Sequence, residues 1–347
     1  MHITLGQKLQ GSRSYNLNFI KFIAAILVIY SHSFYVCYGK GHSDPMDVFT
    51  NGRVSFGAIA VAIFLFVSGL YVSKSLEKCK SGKIYFGARI VRIFPLLITI
   101  ILLTTFVLGP ILTNLPLKEY LTDLETYRYL RYIILIPIYS LPGVFTTNPT
   151  SVVNGPLWTL VLEMICYVLL YILYQLGFFD KRKSLLVGVV LVIGILFLTI
   201  DIVPMITNLS NYLRPLFLFF IGMLCYIWRD NIVLDNRIAM VSFILMVICF
   251  YLQMPNLALL IFLPYCICWI SYFEIQCSKQ LSLLGNYSYA IYLIAYPIQQ
   301  TLRLSIETIT PIMNTVLTSF IAIGIAILLN KCIEEPCIKF YTTKWRK

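Results

Sequence analysis

Eleven mostly apolar stretches recur along the chain, near residues 16–37, 56–75, 91–113, 129–146, 157–177, 184–203, 213–228, 238–252, 257–273, 288–303 and 312–330. A helix crossing the hydrocarbon core of a bilayer needs about 20 such residues. Most of the stretches reach or approach that length, so lipid is the solvent for most of the chain. Apolar residues make up 59% of the total and charged residues 12%. A soluble fold of this size has no interior able to hide so much apolar surface. A soluble enzyme, a disordered chain and a secreted disulfide scaffold are excluded. Aromatic residues at 15%, including 24 Tyr, suit helices anchored at membrane interfaces. Turn-rich breaks such as Thr207-Asn208 and Met254-Pro255-Asn256 separate stretches.

Orientation follows from the basic residues, which gather on the cytoplasmic side. Lys74, Lys78, Lys80, Lys83, Arg89 and Arg92 surround the loop after the second stretch. That loop is expected in the cytoplasm, and the N-terminus with it. Alternation of all eleven stretches would then put Lys181-Arg182-Lys183 outside. The conflict disappears if 129–146 does not span. It begins among Arg128 and Arg131, contains Pro137 and Pro142, and reads as an interfacial or re-entrant piece. The expected fold is all-α: a polytopic membrane protein of ten transmembrane helices plus that one segment, with both termini cytoplasmic. Counting helix ends, the inner side then holds 20 Lys+Arg and 7 Asp+Glu, the outer side 7 and 7, and Glu163 inside a span completes the net +12. The positive charge therefore sets orientation and implies no nucleic-acid partner. The first stretch has a basic flank like a signal peptide's, but it is too long and lacks a small-residue cleavage pattern, so it reads as a retained helix. The ten cysteines show no CxxC and no Cys/His cluster with zinc spacing. They read as apolar packing residues, and no metal is expected.

Ionisable groups inside a span are costly, by about 2.5–3.5 kcal/mol at the helix centre, so the few present are informative. Lys21 and His32 lie on the first stretch. Eleven residues return to nearly the same helix face, about 16 Å along the axis. One stripe thus carries a cation near its inner end and an imidazole near its outer end. Lys21 could equally snorkel to the interface, and His32 could be a hydrogen-bonded structural residue. The other two histidines lie outside the spans, which leaves His32 as the candidate for proton transfer near neutral pH. Glu163 enters the stretch that opens Asn154-Gly-Pro-Leu-Trp158, with Tyr167 one turn beyond. It is expected about 8–10 Å deep from the outer side, where a carboxylate could orient His32 or stabilise its cation. It could instead be bonded structurally to backbone or Tyr hydroxyls. Ser68-Gly69 on the second stretch suits close helix packing. Arg89 and Arg92, three residues apart, share a face at the cytoplasmic entrance. Two guanidiniums so placed suit phosphate recognition, or lipid-headgroup anchoring. No GxGxxG, P-loop, GxSxG or HExxH motif is present.

These blocks, in this order, resemble the acyltransferase 3 family of integral membrane acyltransferases. Lys21 and His32 are similar to its basic-x10-His pattern. Ala60-Val61…Phe64-Leu65-Phe66-Val67-Ser68-Gly69-Leu70 resembles its second-helix signature, and Arg89-x-x-Arg92-Ile-Phe-Pro95 its RxxR block. Trp158-x4-Glu163…Tyr167, Tyr287-Ser288-Tyr289-x-x-Tyr292-Leu293 and Glu334-Glu335-Pro336 resemble its later blocks. The departures are Asn18 where Asp is common, Lys21 where Arg is commoner, Ala62 at a position often polar or Pro, and Ala295 where many members have His.

The resemblance implies a single transmembrane acyltransferase domain over residues 1–347, with no appended soluble domain. It implies acyl transfer, usually acetyl from acetyl-CoA, to a hydroxyl of a cell-surface or exported glycan or its lipid-linked precursor. On that reading His32 is the general base and Glu163 its orienting or stabilising carboxylate. Arg89 and Arg92, with Lys21, hold the CoA phosphates, and Ser68, Trp158 and Tyr167 line the passage. The expected location is the inner (plasma) membrane, with acyl-CoA, the glycan acceptor and membrane lipids as partners. The competing classes are a multi-span transporter or flippase for an envelope glycan or small metabolite, and a receptor or structural membrane protein. A transporter would more often show internal repeats or paired broken helices, and none is seen.

Overall fold

The computed structural model describes residues 3–10, 14–200, 204–273 and 277–345. Among them helix dominates, and β pairing is confined to two isolated bridges, Thr4 with Val233 and Thr113 with Val144. In chain order the longer helices are α1 (Tyr15–Tyr38), α2 (Phe56–Cys79), α3 (Gly82–Leu103), α4 (Trp158–Gln175), α5 (Lys181–Ile200), α6 (Pro204–Ile227), α7 (Asn236–Tyr251), α8 (Leu263–Ser271), α9 (Ser288–Ser305), α10 (Pro311–Leu329) and α11 (Glu335–Trp345).

Seven of the described helices are long and apolar enough to cross a membrane: α1, α2, α3 with its continuation to Leu112, α4, α5, α6 and α10 running on into α11. Their outward faces are apolar, with Val190 65% and Phe320 74% exposed, a surface suited to lipid rather than water. α6 begins at Pro204 and runs through Thr207-Asn208, so that pair is not the expected break. Proline at the first helical position starts the helix instead. The other expected spans fall on helices that are shorter or more polar. α7 and the segment Pro255–Ser271 are apolar but short. α9 carries Gln299, Gln300 and Arg303, and most of its residues are buried in protein. Segment 129–146 forms no long helix. A 3-10 turn, Tyr129–Ile134, is followed by Leu135 at φ 62° and then by irregular backbone.

The chain folds as two compact units. The first holds Met1–Ala24, Pro45–Lys80 and Leu162–Asn286. In it α2 and α6 cross backbone to backbone. A Cβ on Gly69 would lie 1.9 Å from the Phe219 carbonyl oxygen, and one on Gly222 would lie 2.3 Å from that of Phe66. Small residues permit such an approach between membrane helices. One turn of α6 is also tied to two loops. Arg214, 1% exposed, donates to Asn256 Oδ1 at 2.8 Å, to the Arg53 carbonyl at 3.1 Å and to Ser210 Oγ at 3.3 Å.

The second unit holds Ala25–Asp44, Ser81–Val161 and Tyr287–Lys347. Here α9 packs along α10, and α11 packs on α3. A knot of amides and hydroxyls joins the C-terminal half of α1 to α9 and α10. Gln299 Nε2 donates to the Ile29 carbonyl and to Ser33 Oγ, both at 2.7 Å. Thr315 Oγ1 reaches Ser33 Oγ at 2.9 Å, and Asn314 Nδ2 donates to the Gln299 carbonyl at 3.0 Å. A backbone oxygen in lipid has no water to bond, so these side chains satisfy it internally.

Candidate active site

His32 stands on α1 inside the second unit, half-buried. The knot at Ile29 and Ser33 brackets it in sequence, so its turn is held from both sides. The Tyr296 ring on α9 meets the imidazole edge-on, with centroids 5.4 Å apart at 78°. Ser31, the preceding residue, donates its hydroxyl to Asp44 Oδ2 in the loop after α1. Lys21 is on the same continuous helix, in the first unit, and is also half-buried.

Arg89 and Arg92 lie near the start of α3, in the second unit. The Arg89 guanidinium sits 5.8 Å over the Tyr85 ring and is half-buried, while Arg92 is exposed. Two tyrosines pin this turn of helix. Tyr341 Oη donates to the Ile84 carbonyl at 2.9 Å, and Tyr289 Oη to that of Ile93 at 2.9 Å. A Cβ on Gly87 would lie 2.6 Å from Tyr341 Oη, so glycine is what lets α11 pack this close. A stacked guanidinium beside an exposed one, on a braced turn, is suited to holding phosphate.

Glu163 is in the first unit, on α4, and the structure brings it together with Ser68 and Tyr167. Tyr167 Oη donates to Glu163 Oε1, Ser68 Oγ donates to the same oxygen at 3.3 Å, and the two hydroxyls are 3.3 Å apart. Gly69 makes the helix crossing and Ser68 next to it faces the carboxylate, so the pair serves packing and polar contact at once. Trp158 opens α4 in the second unit, half-buried. Its approach is fastened by Asn154 Nδ2 to the Leu293 carbonyl at 2.8 Å and by the Tyr292–Thr159 hydroxyl pair at 2.6 Å. Among the described residues no group of three or more His, Cys, Asp or Glu stands close enough to hold a metal ion.

A family model described as an acyltransferase domain matches residues 14–331. The chain belongs to the acyltransferase 3 family. An O-acetyl transferase of Shigella phage Sf6 is 32% identical over 151 residues, which is 43% of this chain and 42% of that protein. Nodulation protein 10 of Rhizobium leguminosarum bv. viciae is 28% identical over 187 residues, 52% of this chain and 49% of that protein. The matches thus span about half or less of these curated relatives. No solved structure matches the chain. The acyltransferase 3 match contains every site residue expected from the sequence, from Lys21 to Tyr167.

Within the acyltransferase 3 chain, three features were not picked out by sequence pattern. Gln299 and Asn314 fix the His32 turn, and the adjacent amides Gln299-Gln300 in an apolar stretch were the available signal. Arg214 stands one residue into the apolar run that starts at 213, whereas the helix starts at Pro204. Asp44 stands directly ahead of Pro45, and the sequence around it carries no other signal.

Proposed function

We propose that the chain is a membrane-bound O-acyltransferase that moves an acetyl or other short acyl group from cytoplasmic acyl-CoA to a hydroxyl of a cell-surface or exported glycan or its lipid-linked precursor. Acetyl-CoA is the favoured donor. The observation that carries the reading is the family match over residues 14–331; the relative named as an O-acetyl transferase supports acetyl in particular. The chain is proposed to lie in the inner (plasma) membrane as ten spans with both termini cytoplasmic.

In the proposed reaction His32 takes the proton of the acceptor hydroxyl as its oxygen attacks the thioester carbonyl. The C–O bond forms and the C–S bond breaks. CoA leaves as the thiolate and takes up the proton from His32. Arg89 and Arg92 bind the anionic CoA moiety, with Lys21 adding a further cation. Glu163 is the second proposed catalytic group, its carboxylate held by Tyr167 and Ser68, and Ser68, Tyr167 and Trp158 line the substrates' passage.

Comparative glycan mass spectrometry with and without the gene is expected to show loss of one acyl mass and to identify the acceptor. The same measurement with His32→Ala is expected to show the same loss at normal protein level. Normal acetylation in that variant would remove His32 from the mechanism. Purified protein that neither binds labelled acetyl-CoA nor releases CoA with any acceptor would favour the transporter reading.

A further inference from the structure

A histidine acting as base needs a group that holds its ring and offsets the charge it gains. In the second unit one carboxylate has the position to do this. Asp44 follows α1 by six residues and is only 2% exposed. An aspartate is almost never buried to this extent without a partner or a task. The Ser31 hydroxyl donates to its Oδ2, which brings the carboxylate to the turn that carries His32. Glu163, by contrast, has its Oε1 engaged by Tyr167 and Ser68.

We propose that Asp44 is the positioning carboxylate of His32. The assignment rests on His32 being the base. As His32 takes the acceptor's proton, the Asp44 carboxylate stabilises the imidazolium. The proton passes to the departing CoA thiolate and the ring returns to neutral. Gln299 and Ser33 hold the backbone of the turn, and Asp44 supplies the charge.

A second role for Asp44 is evident from its place before Pro45, which opens the short helix Pro45–Phe49. Aspartate there suits a helix N-cap. Asparagine caps as well as aspartate and can accept the Ser31 proton, but it carries no charge. Asp44→Asn therefore separates the two roles.

The test uses membrane vesicles bearing the full chain, acetyl-CoA as donor and the host's envelope glycan as acceptor, with CoA release measured against acetyl-CoA concentration per folded protein. Asp44→Asn is expected to lower kcat by about ten- to a hundred-fold and to leave the KM for acetyl-CoA unchanged. Asp44→Glu is expected to recover part of the loss. Asp44→Asn added to His32→Ala is expected to cause no further loss, because residues acting as a unit are not additive. If Asp44→Asn folds poorly, Ser31→Ala takes its place, with the expectation of lower kcat at unchanged KM. Wild-type kcat in Asp44→Asn, or in Ser31→Ala where that is the readable variant, overturns the role of Asp44. It leaves the base intact if His32→Ala still abolishes release. Release unaffected by His32→Ala overturns both.

Discussion

At the scale of single residues, the roles proposed for the Glu163–Tyr167–Ser68 cluster and the Arg89–Arg92 pair are ones that substitutions can separate from packing. Glu163→Gln keeps shape and hydrogen-bonding capacity while removing charge, and is expected to lower CoA release by about a hundred-fold at normal protein level. Tyr167→Phe, which leaves Ser68 as a donor to Oε1, is expected to cost less, about ten-fold. Full release in Glu163→Gln would make the cluster structural. For the arginines the contrast is between phosphate recognition and lipid anchoring. Arg89→Lys keeps the charge but loses the planar fork. It is expected to raise the KM for acetyl-CoA about ten-fold with kcat unchanged, whereas an anchoring role predicts no change in KM. The sequence singled out Glu163 because ionisable groups at span depth are rare and need a reason, and the arginines because their spacing puts two guanidiniums on one face. Asp44 and Arg214 were not legible in the same way. Arg214 sits at the start of an apolar stretch and Asp44 in a loop, where charge is ordinary, and only their near-complete burial in the fold marks them out.

At the scale of elements, the crossing of α2 and α6 is the contact with least tolerance. Gly69 and Gly222 each face a backbone carbonyl closer than any Cβ can approach, and backbone cannot yield as a flexible side chain can. Gly222→Ala is expected to destabilise by about 1–3 kcal/mol through overpacking, read as a lower thermal midpoint in detergent. Gly324 on α10 has open space around it, with nothing within 4 Å of where a Cβ would stand. Gly324→Ala is expected to cost nothing, and equal losses in the two variants would show that the crossing is not the cause. The packing role of Ser68-Gly69 was legible from the small residue pair, but the partner helix was not. Helix existence was likewise easier to read than helix limits. α3 starts at Gly82, nine residues before the apolar run, because Lys83, Arg89 and Arg92 are compatible with helix at a membrane surface. α9 is polar for a span because protein, not lipid, covers most of it.

At the scale of the whole molecule, the proposed ten crossings rest on residues 129–146 not spanning. A helix satisfies its own backbone in lipid; irregular backbone must be covered by protein. This segment follows the second course. Val153 N–H donates to the Tyr139 carbonyl at 2.7 Å, Asn114 N–H to that of Gly143 at 3.1 Å, and Thr113 Oγ1 to that of Pro142 at 2.9 Å. It is covered from its own neighbourhood and has no long helix to carry it across. The count decides on which side the Lys181-Arg182-Lys183 loop lies, and the orientation decides the side from which an anionic donor reaches Arg89 and Arg92. Single cysteines placed in a background lacking the native ten test it with a membrane-impermeant maleimide on intact cells. Ser81→Cys and Arg182→Cys are expected to stay unlabelled, and Asn51→Cys and Asn114→Cys to be labelled. If Arg182→Cys is labelled while Ser81→Cys is not, the segment spans and eleven crossings stand. If Ser81→Cys is labelled and Asn51→Cys is not, the orientation is reversed, and cytoplasmic CoA could not approach the arginines from the side proposed.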